Sequence, residues 1–547
     1  MRKHLVITTF ILILLLGIFL RFYLISDVPP GLYPDEAMNG NNALEALSSG
    51  HFKVFYPENN GREGLFINIQ ALSIKLFGHT PWALRVVSAL FGTLTILGVY
   101  LLSRELFPGR DALALLSSFF IATSYWHINF SRISFRAISV PFFASFTLFF
   151  LIRGFRRKNI WDFVAAGIFA GLGLQTYIAF RFMPFVIVVP LLFALINWWK
   201  GHDNPSHTEK NTRSSITCAP CAIMLFALVV LVVVLPIGLY FLQHPADFFG
   251  RSGQVSIFSG ASPIKEFIIS NAATLGMFFV RGDCNFRHNF SCMPEMHPIA
   301  AFFLLLGILY AIRGIFKKNT DRRSLILLSV WFIFMMFPAT LTREGLPHAL
   351  RSIGLIPPVM ILAGFGAWQS VQIFRNFFER QKTKWPQFSP RIKRIQRELL
   401  WVVIFVILFI PLATYDTYFL RWRNNVNTYF AFATDLWHLG QYLNTLSPDI
   451  KKYVVVNLPG TDVRGIPMSA QTIMYATDSF REKSRKEKNI VYVLPHEINA
   501  KIFLDKNGKV LVTFLNSQDR ALTAQVQKKF PGLRVWVPGD FAILKNY

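Results

Sequence analysis

The chain has 547 residues, 53% of them apolar and only 16% charged, with a mean hydropathy of +0.40. A water-soluble chain of this length rarely hides so much apolar surface, which excludes an ordinary globular protein and leaves a polytopic membrane protein. The formal net charge of +26 is mostly a topology signal with some attraction for anionic lipid heads, and it needs no nucleic-acid partner.

The first apolar run, Leu5 to Ile25, follows Arg2 and Lys3 and continues into Phe22 and Tyr23 without a small-x-small cleavage signature. It reads as a retained signal anchor with a cytoplasmic N-terminus. It leads into a long first outer loop, 26–80, that begins with Tyr33-Pro34-Asp35-Glu36 and carries further acids at Glu45, Glu58 and Glu63. Tyr33, Phe52, Phe55 and Tyr56 in this loop are aromatics that can stack on sugar faces, and Gly61 to Phe66 reads as a turn feeding an interfacial helix, Ile67 to Phe77.

Further runs of spanning character are Ala83 to Leu102, Ala112 to Ile128, Ala137 to Ile152, Ile160 to Tyr177, Phe182 to Trp199, Ile216 to Leu242, Pro298 to Ile312, Leu325 to Leu341, Ile353 to Ile373 and Leu399 to Leu412. That makes about eleven transmembrane helices. The amphipathic stretch Ile264 to Val280, within the long outer loop 244–297, fits an interfacial helix or a further crossing. Threaded from a cytoplasmic N-terminus, the inner connections Arg104 to Arg110, Arg153 to Lys158, Lys200 to Arg213, Arg313 to Arg323 and Arg375 to Arg397 hold most of the basic residues between spans, as the positive-inside rule requires. Gly201 to Ser215 and Lys382 to Arg397 read as polar inner loops or connectors.

The tail changes character. Lys452 to Val456, Asn489 to Leu494, Val510 to Phe514 and Leu533 to Val537 read as strands, and Ser469 to Thr477 and Asp519 to Phe530 as helices. The chain thus divides into a transmembrane domain, 1–419, and a small extracytoplasmic α/β domain, 420–547, serving substrate capture, lid formation or structural support.

The threading leaves several arginines outside: Arg132 and Arg136 after His127, Arg181, Arg281 and Arg287 in the long outer loop, and Arg343 and Arg351 flanking His348. Outer arginines at span ends work against the orientation rule, so either they snorkel or an anion at the outer leaflet requires them. A guanidinium fork matches phosphate oxygens, and clustering across several loops favours the anion. The Asp35-Glu36 pair is likewise either a helix start, with acids in its first turn, or a catalytic pair at a membrane surface.

Asp-Glu after the first span, the long first loop, Phe77-Gly78 and Ala83-Leu-Arg85-Val-Val-Ser-Ala-Leu-Phe-Gly92 together resemble the polyprenyl-phosphate-dependent glycosyltransferases of the GT-C fold, family 39 type. The closest group is the protein O-mannosyltransferases and aminoarabinose transferases, in their prokaryotic branch. Gly282 to Asn289 and Pro347 to Pro358 look like outer-loop signatures of that branch. The resemblance implies a sugar donor on a polyprenyl phosphate, transfer with inversion, a first-loop acid that activates the acceptor, and a plasma-membrane location. It puts Asp35 at the catalytic position and Glu36 at the second acid, with Glu58, Glu63, Arg85 and Tyr33 positioning substrate. Arg132, Arg136, Arg287, His348 and Arg351 are then the candidate donor-phosphate ligands. The sequence departs from the aminoarabinose type in having no acid between Ser124 and Arg136.

The chemistry stands without the resemblance. An acceptor hydroxyl needs a carboxylate to take its proton, whereas a polyprenyl phosphate leaves as an anion and needs only cations to hold its charge. No obligatory metal or other cofactor is expected. The acceptor is a protein, lipid or glycan hydroxyl, and the competing functions are a transporter or flippase of an anionic lipid or solute and a glycan ligase. Cys218 and Cys221 read as packing or inert thiols, while Cys284 and Cys292 share an outer loop where an oxidising exterior lets them pair. The threading predicts an outer C-terminus, so a reporter that works only in the cytoplasm should be inactive when fused after Tyr547; an active one reverses the topology.

Overall fold

The computed structural model describes residues 3–201, 216–254, 257–259, 262–317, 321–342, 345–503 and 508–547. It is predominantly helical. Among the described residues nine helices are long and apolar enough to cross a membrane, from Lys3–Phe22 and Pro81–Leu106 through to Ile353–Lys384 and Pro386–Trp422. They correspond to nine of the expected runs, and the chain is a multi-pass membrane protein. The two remaining runs form shorter helices, Asp111–Thr123 of 13 residues and Ile160–Gly173 of 14 residues. The first stops because Ser124 turns extended, at φ −67 and ψ 120, and a second helix, Tyr125–Arg132, starts directly after it.

Two expectations change. Lys382 to Arg397, expected as a polar connector, is mostly helical, because the helices Ile356–Lys384 and Ser389–Tyr415 run past their apolar parts. Ion pairs at helical spacing, Lys382 with Glu379 and Arg394 with Glu398, both 2.8 Å, support those polar turns. Cys218 and Cys221 are joined as a disulfide and not left as separate thiols. Cys284 and Cys292 are paired as well. Most of the Gly201 to Ser215 stretch, and Arg343, lie outside the described residues.

The contacts gather the chain into two compact units. The first comprises Met1–Tyr23, Ser88–Arg132 and Arg136–Arg421. Its helices pack through small residues: a Cβ at Gly307 would collide with the Leu362 carbonyl and one at Gly366 with the Phe303 carbonyl, so glycine lets the Pro298–Phe316 and Ile356–Lys384 backbones touch.

The second unit comprises Leu24–Val87, Ile133–Phe135 and Trp422–Tyr547. Its five-stranded sheet runs in the order Ile490–Val493, Lys451–Val455, Val510–Phe514, Ile543–Lys545, Arg534–Trp536, the first three parallel and the last two antiparallel. Tyr453 and Val455 point into one core and Val454 into the other, as the two-residue period of a strand requires. The strand Ile543–Lys545, three residues long, was not read from the sequence.

The first loop, residues 26–80, belongs to this same unit. Its helix Pro34–Ser49 packs against the tail helix Gln471–Ala476, with Gly40 leaving room for the Tyr475 ring. Hydrogen bonds fix the contact: Asn41 Nδ2 to Gln471 Oε1 at 2.8 Å and Thr472 Oγ1 to the Leu32 carbonyl at 2.8 Å, both buried, and the part-buried Tyr475 OH to the Thr80 carbonyl at 3.1 Å.

Candidate active site

Pro34 at the first helical position pre-sets the backbone, and Asp35 and Glu36 fill the first turn, where the helix dipole favours carboxylates. Identical in placement by sequence, the two acids meet opposite surroundings. Glu36 is completely buried and accepts from both Arg85 Nε (3.1 Å, on Oε1) and Arg85 Nη2 (3.3 Å, on Oε2). The backbone N–H groups of Ser134 (2.8 Å) and Tyr33 (3.2 Å) complete its shell. Arg85, also fully buried, donates further to the carbonyls of Pro29 and Gly31, both 2.7 Å. Asp35 is only half-buried, and its Oδ1 accepts from Asn59 Nδ2 at 2.5 Å. The half-exposed Tyr33 ring meets Phe135 edge-on at 6.1 Å.

The other first-loop acids are engaged differently. Glu58 pairs with Arg464 at 2.7 Å; burial would raise its carboxyl, but the hydrogen bond and charge of Arg464 outweigh that and hold it below the usual range. Glu63 is buried in a two-residue strand opposite Phe55 and sits at the N-cap position of the helix Gly64–Phe77 without a side-chain capping bond. Thus Tyr33, Asp35, Glu36, Glu58, Glu63 and Arg85 all lie in the second unit, and among the acids of that group Asp35 and Glu58 keep some exposure to solvent.

The candidate cations lie in the first unit. Arg287, His348 and Arg351 surround a buried pair, Asp283 and His288: Asp283 Oδ2 accepts from His288 Nδ1 at 2.8 Å and from the Ala349 N–H at 2.9 Å, and His348 Nδ1 is 3.9 Å away. Burial lowers the His288 pKa and the nearby Arg287 and Arg351 lower it further, with Asp283 working in the opposite sense. Arg351 Nη1 donates to Thr342 Oγ1 at 2.6 Å and Arg287 Nε to Asn285 Oδ1 at 3.1 Å. Asp283, His288 and His348 offer ligand atoms within 4.8 Å of one another and could hold a metal ion, though the Asp283–His288 edge is closed by its hydrogen bond.

Arg132 and Arg136 are held elsewhere in this unit. Arg132 Nη1 donates to the carbonyls of Leu20 (3.2 Å) and Arg21 (2.9 Å) at the end of the first helix, and its guanidinium lies over the Phe419 ring at 4.9 Å. Arg136 sits over the Tyr177 ring at 5.5 Å. Sequence reasoning missed Asp283, although the Gly282 to Asn289 segment that contains it was singled out. It also missed Arg21, hidden in an apolar run, whose Nη2 reaches His127 Nδ1 at 2.6 Å.

A cavity of about 660 Å³ opens in the same unit, lined mainly by apolar groups such as Phe120, Met360 and Ile410 with Glu295 and Arg421 among its polar ones. Burial pushes the Glu295 carboxyl well above the ordinary range, the charge of Asp283 acts in the same direction, and only the hydrogen bond from the Asp283 N–H opposes it.

Residues 65–240 match the family model described as dolichyl-phosphate-mannose-protein mannosyltransferase. The crystal structure of ArnT from Cupriavidus metallidurans bound to undecaprenyl phosphate aligns with 100% of this chain and 99% of its own, at a TM-score of 0.56 and 13% identity. This chain has the GT-C glycosyltransferase fold. The same ArnT in its apo state aligns with 99% of this chain and 98% of its own, at a TM-score of 0.51 and 15% identity. An uncharacterized protein of Aquifex aeolicus (strain VF5) is 29% identical over 172 residues, 30% of this chain; this match spans 34% of that relative's length. The resemblance read from the first loop and second span is borne out by the GT-C fold.

The buried Glu36–Arg85 pair carries a stability prediction. Arg85→Ala leaves an uncompensated carboxylate in the interior and should cost about 3–5 kcal/mol, read as a lower melting temperature or loss of folded protein in detergent. Glu36→Gln keeps the shape but turns one acceptor oxygen into a donor and leaves the Arg85 cation uncompensated, so it should destabilise on the same scale. An Arg85→Ala protein that melts with the unmodified one would show that the pair does not hold this region.

Proposed function

We propose that the protein is a membrane glycosyltransferase that moves a sugar from a polyprenyl-phosphate donor to an acceptor hydroxyl of a protein, lipid or glycan at the outer face of the membrane. The observation that carries this reading is the half-exposed Asp35 carboxylate on a helix pinned by a wholly buried ion pair, within the GT-C fold. In the reaction, the acceptor oxygen bonds to the anomeric carbon as its proton passes to Asp35, and the bond from that carbon to the phosphate oxygen breaks. The leaving group departs as an anion, so the donor end needs cations and not an acid.

Glu36, with its oxygens filled by Arg85 and two backbone N–H groups, holds the helix and does not touch substrate. Tyr33 offers an aromatic face to the sugar. The donor phosphate is assigned to the cationic group of Arg287, His348 and Arg351, with Arg132 and Arg136 contributing field from the same unit. The mainly apolar cavity supports a lipid-linked substrate. Neither step requires a metal or other cofactor. ArnT's undecaprenyl phosphate supports the choice of donor class.

Asp35→Asn preserves shape and hydrogen bonding but cannot accept a proton, so transfer should fall by roughly 100-fold or more while donor binding persists. Transfer at the unmodified rate would move the base elsewhere. For the donor, Arg351→Ala should weaken binding of a polyprenyl-phosphate sugar by about 1.5–3 kcal/mol, with lysine restoring only part, because a bidentate fork becomes a point charge. Unchanged donor binding across alanine variants of Arg287, His348 and Arg351 would remove the phosphate assignment.

A further inference from the structure

The C-terminal residues have no part in the transfer step described above, yet they grip the turn that holds Asp35. We propose that Asn59 and Arg464 are positioning residues for transfer: the Asp462–Pro467 hairpin clamps the Pro57–Gly61 turn, and Asn59 on that turn fixes the Asp35 carboxylate. The inference rests on Asp35 acting as the base.

The hairpin is built for this. Asp462 pairs with Pro467 and Val463 with Ile466, leaving Arg464 and Gly465 as a two-residue turn with φ of 56 and 83, the left-handed geometry that matches strand twist. The turn presents the Arg464 guanidinium 4.7 Å over the Phe480 ring. From there it forks, bonding Glu45 at 2.8 and 2.9 Å and Glu58 at 2.7 Å. Glu45 lies on the same helix as Asp35, and Glu58 immediately precedes Asn59. One guanidinium therefore ties the base's helix to the turn facing it.

The turn has little freedom of its own. Asn59, Asn60 and Gly61 all adopt left-handed backbone, φ 53, 62 and 80, which asparagine and glycine tolerate best. Arg62 anchors its far end to the base's helix, donating to Asn39 Oδ1 at 2.8 Å and to Asn42 Oδ1, and its Nε reaches the Glu58 carbonyl at 3.3 Å. Asn59 Nδ2 then occupies one oxygen of Asp35 and leaves the other for the acceptor proton. Without that bond the carboxylate rotates over a broad, two-fold torsional well. The Arg464 side chain is 43% exposed, so its ion pairs are screened and add little to stability; their effect is expected in the rate.

The test measures transfer by the purified full-length chain with a polyprenyl-phosphate sugar. Asn59→Gly keeps the left-handed turn and should lower the maximal rate roughly 10- to 100-fold, the scale of a lost hydrogen bond to a charged group. Arg464→Ala should lower it several-fold, Arg464→Lys should recover part, and donor KM and melting temperature should hardly move. Neither change should lower the rate further in the Asp35→Asn background. Should Asn59→Gly fail to fold, Asn59→Asp keeps the shape, replaces the donor with an acceptor and reads the same loss. Full rates in the Asn59 and Arg464 variants, with Asp35→Asn impaired, would overturn the clamp alone. So would a raised KM at unchanged maximal rate, which would make the hairpin a substrate-binding element, or a further loss in the Asp35→Asn background. A full rate for Asp35→Asn would instead remove the base itself.

Discussion

The rest of the second unit depends on one buried ion pair. Taking a carboxylate and a guanidinium out of water costs several kcal/mol per ion, and their attraction compensates only when every remaining donor and acceptor is met. Each side-chain nitrogen of Arg85 and both oxygens of Glu36 have such partners, because the backbone of residues 29–36 and of Ser134 is folded around them. The pair thus fixes three separate chain segments at one point. A hydrophobic replacement would leave those peptide groups without partners.

From this follows a division of labour between neighbouring acids. Asp35 and Glu36 are adjacent in sequence and sit in the same helical turn, but a helix turns each residue by roughly 100°, so they face different environments. Inward, Glu36 is saturated. Outward, Asp35 keeps one oxygen uncommitted and one held by Asn59. A proton acceptor needs both conditions: a fixed direction and an open coordination position.

Much of this was legible in the sequence, and the omissions have physical causes. Hydropathy located every apolar helix, because the bilayer demands long apolar runs; it missed the break at Ser124, where apolar residues continue while the backbone turns extended. Four strands of the tail were readable as short runs rich in β-branched and aromatic residues, and Ile543–Lys545 was not. Asp35 and Glu36 stood out as a pair, but their opposite roles depend on Arg85, which sits 49 residues from Glu36, and on Ser134, 98 residues away. Arg464 reaches Glu58 across 406 residues, and no local pattern announces such a contact. Of the candidate cations, Arg132 looked like an outer-loop ligand, yet it is fully buried against carbonyls at the end of the first helix, a partnership that spacing alone does not reveal.

The second unit is assembled from both ends of the chain. Asn41 and Gln471, whose side chains meet, are separated by 430 residues that include most of the membrane helices. During synthesis the helix bearing Asp35 leaves the ribosome well before the helix that packs against it. The site's framework therefore closes only after the intervening spans have been made, and a nascent chain can be inserted in the bilayer while the helix that carries its carboxylate still lacks its tail partner.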